Sequence, residues 1–311
     1  MITTITLNAT MDKTCFLGDL QIGRVNRVPV MHSYPGGKGI NAARVAHHLG
    51  CPVLTTGFVA GFNGSYIETE LSKQGILHDF VRVQGESRVS LNIIDRFNGL
   101  TTEILEHGPA VGLDDVLAIK DKVRQVASYS SVIAIGGSMP EGVPPNMYAD
   151  FIEIAHQEGA LTVLDASGDA LLSGIQAVPT CIKPNEHDIA AVLGRPPEND
   201  DEICEAIMML QGKGIKCVAV TLGQRGALVG IGGDLFRVHA PKVTPVNVVG
   251  CGDSFVGALC TGLYKMEPIM ECIRLAVASG TANSITEEAG NIRLNDVKSL
   301  LGKIEIEQVR R

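Results

Sequence analysis

Near the end of the chain a carboxylate follows a glycine pair: Gly250-Cys251-Gly252-Asp253. Ahead of it, Lys242 to Val249 has the apolar and β-branched content of a strand or extended segment. Behind it, Phe255, Val256, Leu259 and Leu263 recur at helical spacing. The glycines therefore fall where the chain turns into a helix. Such a turn offers free backbone N–H groups and the positive end of a helix dipole to an anion. Two roles fit Asp253. A carboxylate at a helix start is commonly a cap. Beside an anion hole it is also a base, taking a proton from a hydroxyl while the N–H groups hold charge developing on a transferring phosphoryl group.

Three other clusters carry chemistry. Gly36-Gly37-Lys38-Gly39-Ile40-Asn41 places a cation among glycines that let backbone approach a ligand. It is no Walker loop, since GxxxxGK[ST] is missing throughout. Its place before a helix, with Asn41 following, favours a ligand loop over a plain turn. Arg88, Ser90 and Asn92 share one face of an alternating strand, with Val89, Leu91 and Ile93 on the other. A solvated hairpin face would read the same way. Asp12 closes a loop after the strand Ile2–Leu7, and strand ends are where α/β proteins place ligands.

The elements that must position these residues alternate regularly from Leu113 onward. Helices are predicted at Asp114–Ala127, Asn146–Glu158 and Glu202–Lys213, with strands at Ser131–Ile135, Leu161–Leu164, Thr180–Lys183 and Lys216–Thr221. A hairpin follows at Ala227–Val238, and the tail reads as helical. Repeated βα units imply an α/β fold: a doubly wound, mostly parallel sheet with helices on both faces, in one domain over 1–311. The extended segments at about 13–33 and 88–106 break that rhythm. They are assigned to a small antiparallel β-sheet outside the main layer, acting as a lid. The loops at Asp12, Gly36, Ser138, Lys183, Gly223 and Gly250 all follow candidate strands and can converge on one crevice.

Bulk properties narrow the class. A chain of 311 residues, 45% hydrophobic, can bury one large core. A net charge of −8 with no basic run argues against a nucleic-acid partner. The eight cysteines are scattered with no CxxC pair, which argues against zinc and for a reducing, cytoplasmic setting. No apolar run is long enough to span a membrane, and the N-terminus reads as a strand rather than a leader.

Together these motifs resemble the ribokinase-like (PfkB) carbohydrate kinases over nearly the whole chain. Gly36-Gly37-Lys38-Gly39-Ile40-Asn41 is similar to the family's N-terminal signature and Gly250-Cys251-Gly252-Asp253 to its GxGD signature; Lys183-Pro184-Asn185 and Thr221-Leu222-Gly223 also match. Arg88, Gly137-Ser138-Met139-Pro140 and the stretch Thr102 to Pro109 resemble the tagatose-6-phosphate kinase and 1-phosphofructokinase branch.

The resemblance implies ATP as phosphoryl donor, Mg²⁺ on the nucleotide and a sugar phosphate as acceptor. Asp253 would be the base, and Gly250, Cys251 and Gly252 the anion hole. Asp12, Gly37 and Asn41 would hold sugar hydroxyls. Lys38, Arg88 and Ser138 would hold the phosphate already present, and Ser90, on the Arg88 strand, would also bind substrate. Lys183, Thr221, Gly223 and Gly226 would line the ATP site. Asn185, with Asp188 through water, would place Mg²⁺. A homodimer through the lid is implied as well.

Departures from the family bear on these expectations. The family's early Asn-Pro is Asn8-Ala9, so a changed loop is expected while Asp12 persists. The 1-phosphofructokinase pattern has a lysine near Arg88 where this chain has Ser90 and Asn92, which weakens fructose-1-phosphate as substrate. Asp188 replaces a glutamate. Asn247-Val248 stands where cation-activated members carry Asp-Thr, which argues against K⁺ activation. Cys251 stands where the family usually has alanine. It is either a tolerated small residue or a thiol whose pKa the helix N-terminus lowers. Among competing classes, a nicotinamide oxidoreductase would need a third glycine in register and no carboxylate facing a pyrophosphate. A non-catalytic sugar-phosphate sensor would not need Asp253. A kinase for an unphosphorylated sugar or a nucleoside would leave Lys38 and Arg88 unpaired.

Overall fold

The computed structural model describes residues 1–310. Its strands are buried on both sides, and their apolar residues alternate between two cores. Val132 and Ala134 face one core; Ile133 and Ile135 face the other. A strand of that kind reads as a continuous apolar run and needs helices on each face.

The chain runs β1 (Ile2–Thr6), β2 (Thr10–Leu17), β3 (Val30–Gly36), α1 (Lys38–His48), β4 (Val53–Ala60), α2 (Gly61–Lys73), β5 (Leu77–His78), β6 (Val81–Val83), β7 (Arg88–Asp95) and β8 (Leu100–Leu105). It continues with α3 (Leu113–Ala127), β9 (Val132–Gly136), α4 (Met147–Gln157), β10 (Leu161–Asp165), α5 (Gly168–Gln176), β11 (Cys181–Ile182), α6 (Glu186–Leu193) and α7 (Asp200–Gly212). It ends with β12 (Cys217–Thr221), β13 (Ala227–Ile231), β14 (Asp234–His239), α8 (Cys251–Tyr264), α9 (Ile269–Ser284), α10 (Leu294–Leu301) and β15 (Glu305–Arg310).

The main sheet has the order β15-β14-β13-β12-β11-β10-β9-β1-β4-β5, with β6 also on β4. From β12 to β5 it is parallel; β12 to β15 form an antiparallel edge. Helices α1, α2, α8, α9 and α10 pack on one face and α3 to α7 on the other. The mostly parallel, two-faced α/β sheet is thus as expected. The chain leaves β1 toward β4 and later returns to β9 on its other side, so the strand order reverses between β1 and β9. The carboxyl ends of strands at such a point form a crevice.

The second sheet has the order β3-β2-β7-β8. Its outer ladders are antiparallel as expected, but the central pair β2/β7 is parallel. A parallel neighbour requires a long crossover, and here it is everything from β3 to β6. Ser90, Asn92 and Ile94 are buried on the inner face of β7, whereas β8 is exposed throughout.

Three sequence expectations shift. Asp12 lies on β2 rather than in a loop, and α1 begins at Lys38. The tail is not wholly helical: β15 pairs with β14, and its signal, Ile304 and Ile306 between charged residues, is short. Lys242–Val249 is extended without a ladder partner.

Helix α8 crosses α1 closely. A Cβ added at Gly257 would stand 2.3 Å from Ala42 O and 2.9 Å from Val45 Cβ. Gly257→Ala is therefore expected to lower stability by roughly 1–3 kcal/mol through overpacking. Gly212→Ala, at the open end of α7 with nothing within 4 Å, should be neutral or slightly stabilising. Urea denaturation of both variants checks this; equal midpoints would mean that the helix contact is slack.

Candidate active site

The centre of the site is Asp165, the last residue of β10, with 3% of its side chain exposed. Its Oδ1 accepts from Lys38 Nζ at 2.8 Å and lies 3.2 Å from Lys183 Nζ. Lys38 opens α1 and Lys183 follows β11, so three strand ends share one charge cluster. Burial works against the Asp165 charge, but Lys183 and Lys38 outweigh it and hold the carboxyl below its usual range. Burial likewise opposes the Lys38 charge, and Asp165 and then Asp253 raise its pKa in spite of that. The sequence reading named both lysines but not Asp165. The available signal was a lone acid ending an apolar strand.

Asp253 sits in the first turn of α8. The N-cap there is Gly250 in the left-handed region, φ +80°, and no side chain caps the helix. Asp253 does not serve as the cap. Its Oδ2 accepts from Asn41 Nδ2 at 2.8 Å. Burial raises its pKa, with Lys38 opposing and Asp165 adding to the rise. A carboxylate with raised proton affinity that stays beside two ammonium groups can take a proton from a hydroxyl. Only glycine fits at 250: a Cβ would lie 2.6 Å from Gly290 N. Cys251 N bonds Val248 O at 3.4 Å and Ser254 N bonds Gly250 O at 2.8 Å. The N–H groups of Gly252 and Asp253 have no backbone acceptor among the described residues, so they are the ones that can receive an anion.

The two sheets meet over a cleft of about 650 Å³. Of the expected residues, Asp12, Gly37, Lys38, Asn41, Arg88, Ser90, Lys183, Asn185, Thr221, Gly223, Gly250, Gly252 and Asp253 line it. Thr10, Asn92 and Glu103 join from the lid. Asp12 is 5% exposed. Burial pushes its carboxyl up to about 7, against the pull of Arg44 and Arg88. A Cβ at Gly36 would fall 2.0 Å from Asp12 Oδ2, so this glycine makes room for the carboxylate. Arg88 Nε donates to Asn8 O at 3.2 Å, and Ser90 Oγ pairs with Thr10 Oγ1 at 2.9 Å.

Four other expected residues stand beside that lining. Ser138 accepts from Asn8 Nδ2 at 3.1 Å across the β1/β9 reversal, on the residue whose carbonyl takes Arg88 Nε. Gly226 is a turn residue whose Cβ would meet Val238 O at 1.9 Å. Asp188 forms a capping box for α6: its N–H donates to Asn185 Oδ1 at 2.8 Å and its Oδ2 accepts from Asn185 N at 3.0 Å. Cys251 is half-buried, and Asn283 Nδ2 donates to its Sγ at 3.4 Å. Burial, with Asp253 adding, pushes its thiol up to about 11. That direction goes with the reading of Cys251 as a tolerated small residue rather than a thiol of lowered pKa.

No group of three or more His, Cys, Asp or Glu side chains among the described residues could hold a metal ion. The oxygens of Asn185 and Asp188 are hard donors of the type that suits a Mg²⁺ ion carried on phosphates and approached through water. Asn247 Nδ2 donates to Glu287 O at 2.9 Å while its Oδ1 accepts from Val249 N at 3.0 Å. Its amide therefore serves to pin the loop before α8.

A carboxyl raised by burial opposes folding once it ionises. The stability tied to Asp12 is fully present below pH 4 and is lost as pH rises through about 7. Asp12→Asn should therefore gain stability relative to the parent between pH 4.5 and pH 8. Thermal melts at both values check this; a gain that shrinks with rising pH would show Asp12 ionised at acid pH.

Known proteins are similar to this chain over nearly its whole length. The pfkB family carbohydrate kinase model matches residues 3–293. Phosphofructokinase-2 from Escherichia coli, in complex with potassium, is 25% identical, with 97% of this chain and 98% of that one covered and a TM-score of 0.90. A protein described as a possible 1-phosphofructokinase from Thermotoga maritima is 26% identical, with 99% of each chain covered and a TM-score of 0.93. With a match that spans nearly the whole chain and both glycine-rich motifs on one cleft, the chain belongs to the pfkB family of carbohydrate kinases.

Proposed function

We propose that this chain is an ATP-dependent kinase that phosphorylates a hydroxyl of a ketohexose monophosphate, tagatose-6-phosphate or fructose-1-phosphate, to the bisphosphate. Arg88 carries the choice of a phosphorylated sugar. It lines the cleft, donates Nε to one carbonyl, and makes no ion pair among the described residues. A planar, unpaired guanidinium at the lid end suits a phosphate already on the substrate. A neutral sugar would leave it unmatched.

In this reading the sugar lies between Asp12 and Asn41 with one hydroxyl toward Asp253. Asp253 takes the hydroxyl proton as the O–Pγ bond forms and the bond from Pγ to the ADP oxygen breaks. The N–H groups of Gly252 and Asp253 hold the charge of the transferring group. Lys38, paired with Asp165 and within the electrostatic reach of Asp253, would add its charge to that group. Phosphoryl transfer needs alignment and neutralised charge more than covalent chemistry. Asn185 and Asp188 would hold Mg²⁺ through water, and the ion supplies further neutralisation of the nucleotide phosphates when bound. Lys183, Thr221 and Gly223 line the nucleotide end. The lid excludes water from the transfer.

Eight free cysteines support a reducing, cytoplasmic setting. The outer face of the lid carries Leu91, Ile93 and Ile104 opposite the polar inner face, with Met31 and Phe97 exposed nearby. This supports a homodimer through the lid. A tetrameric form is described for E. coli phosphofructokinase-2, and that enzyme is also described with fructose-6-phosphate.

ADP release with Mg-ATP should be fastest with tagatose-6-phosphate in a panel that adds fructose-1-phosphate, fructose-6-phosphate and fructose. Activity on fructose alone would overturn the role of Arg88. Asp253→Asn should keep ATP and sugar binding and lose kcat by about two to four orders of magnitude; a near-parental rate would remove it as the base. Ile104→Lys should shift sedimentation toward monomer, and an unchanged parental dimer would place the interface elsewhere.

A further inference from the structure

Arg44 lies on α1 one turn after Asn41, is 4% exposed, and has no carboxylate within ion-pair distance among the described residues. Its donors are spent on four neutral acceptors. Nη1 donates to Asn41 Oδ1 at 3.2 Å and to Ala289 O at 2.9 Å. Nη2 donates to Pro35 O at 2.5 Å, and Nε to Gln74 Oε1 at 3.1 Å. Asp12, Tyr34, Glu288 and Asp253 act on it only from beyond ion-pair distance, and burying a guanidinium without a contacting anion is costly, so the position it holds needs a reason.

Asparagine has one accepting end and one donating end, and arginine only donates. Arg44 therefore admits only Oδ1 of Asn41, which turns Nδ2 toward Asp253 Oδ2. The same guanidinium holds Ala289 O, beside the Gly290 N–H that fills the space next to Gly250. It also holds Pro35 O, immediately before Gly36 and Gly37. We infer that Arg44 is a positioning residue for phosphoryl transfer: it fixes the Asn41 amide so that Asp253 receives a hydrogen bond on one oxygen and keeps the other for the sugar hydroxyl. Without Arg44 the amide can invert and set a carbonyl oxygen against the carboxylate, which disfavours its charge.

The inference rests on Asp253 as the base, so Asp253→Asn is assayed beside it. The test compares Arg44→Gln, Asn41→Ala and the double variant, with Mg-ATP and the fastest acceptor of the panel. Arg44→Gln should lower kcat about tenfold or more, leave the KM for ATP within about twofold, and move the acid limb of the pH–kcat profile upward. The double variant should be no slower than Asn41→Ala alone, because Arg44 acts through that amide. Where Arg44→Gln does not fold, Arg44→Lys keeps the charge, loses the fork, and is read the same way. Gln74→Ala, which removes a partner outside the chain to Asp253, should leave rate and pH profile unchanged. Losses that multiply in the double variant, or a folded Arg44 variant with the parental pH profile, would overturn the inference. An inactive Asp253→Asn beside a silent Arg44 variant would sink this inference alone, whereas a fully active Asp253→Asn would sink the base as well.

Discussion

The site depends on one buried carboxylate held between two ammonium groups. Asp165 ends a central strand, and its Oδ1 faces both Lys38 and Lys183. Taking the charges of Asp165 and Lys183 out of water is unfavourable unless each is neutralised nearby. The cluster meets that condition only while the start of α1, the end of β10 and the segment after β11 stay together. Its formal balance is one positive charge in excess, directed at Asp253. A group of phosphoryl charge brought there would find cations already fixed, Lys183 fully desolvated and Lys38 open to the cleft, a preorganised field that stabilises developing charge.

Around this cluster the backbone is brought unusually near. The carboxylate of Asp12 occupies space that any side chain at 36 would take, and the loop at 289–290 presses on Gly250. These contacts join the lid, the N-terminal motif and the C-terminal motif into one wall, although their residues are more than two hundred positions apart in sequence. The lid contributes differently. Ser90 and Asn92 are buried on a sheet with little core of its own, so their polarity serves the cleft rather than the fold.

The mixed character of the lid has the same origin as its position. β2 leaves the main sheet directly after β1, whereas β7 arrives only after α1, β4 and α2 have been laid down. The two strands therefore run parallel, and Asp12 stands beside Ser90 in register. A lid built as one continuous hairpin would place these side chains on different rows.

Much of this was legible along the chain. Short continuous apolar runs, alternating with helical repeats, dictate a two-faced parallel sheet, and glycine pairs ahead of helices mark where an anion can sit. Those signals are local, and they marked Lys38, Asn41, Asp253 and the polar face of Arg88, Ser90 and Asn92, which the fold brings to one cleft. Residues whose role depends on distant neighbours were not legible. Asp165 and Arg44 read as an ordinary strand end and an ordinary helix residue until folding buried them among groups from far away. Asp188 and Cys251 read as functional by motif, and the fold adds what the motif does not show: capping bonds with Asn185 for the first and a desolvated thiol for the second. Sequence determined the elements and the residue types offered at their ends. Only the tertiary structure decided which charges share a desolvated space, because burial and Coulomb energy depend on distances that the order of residues does not contain.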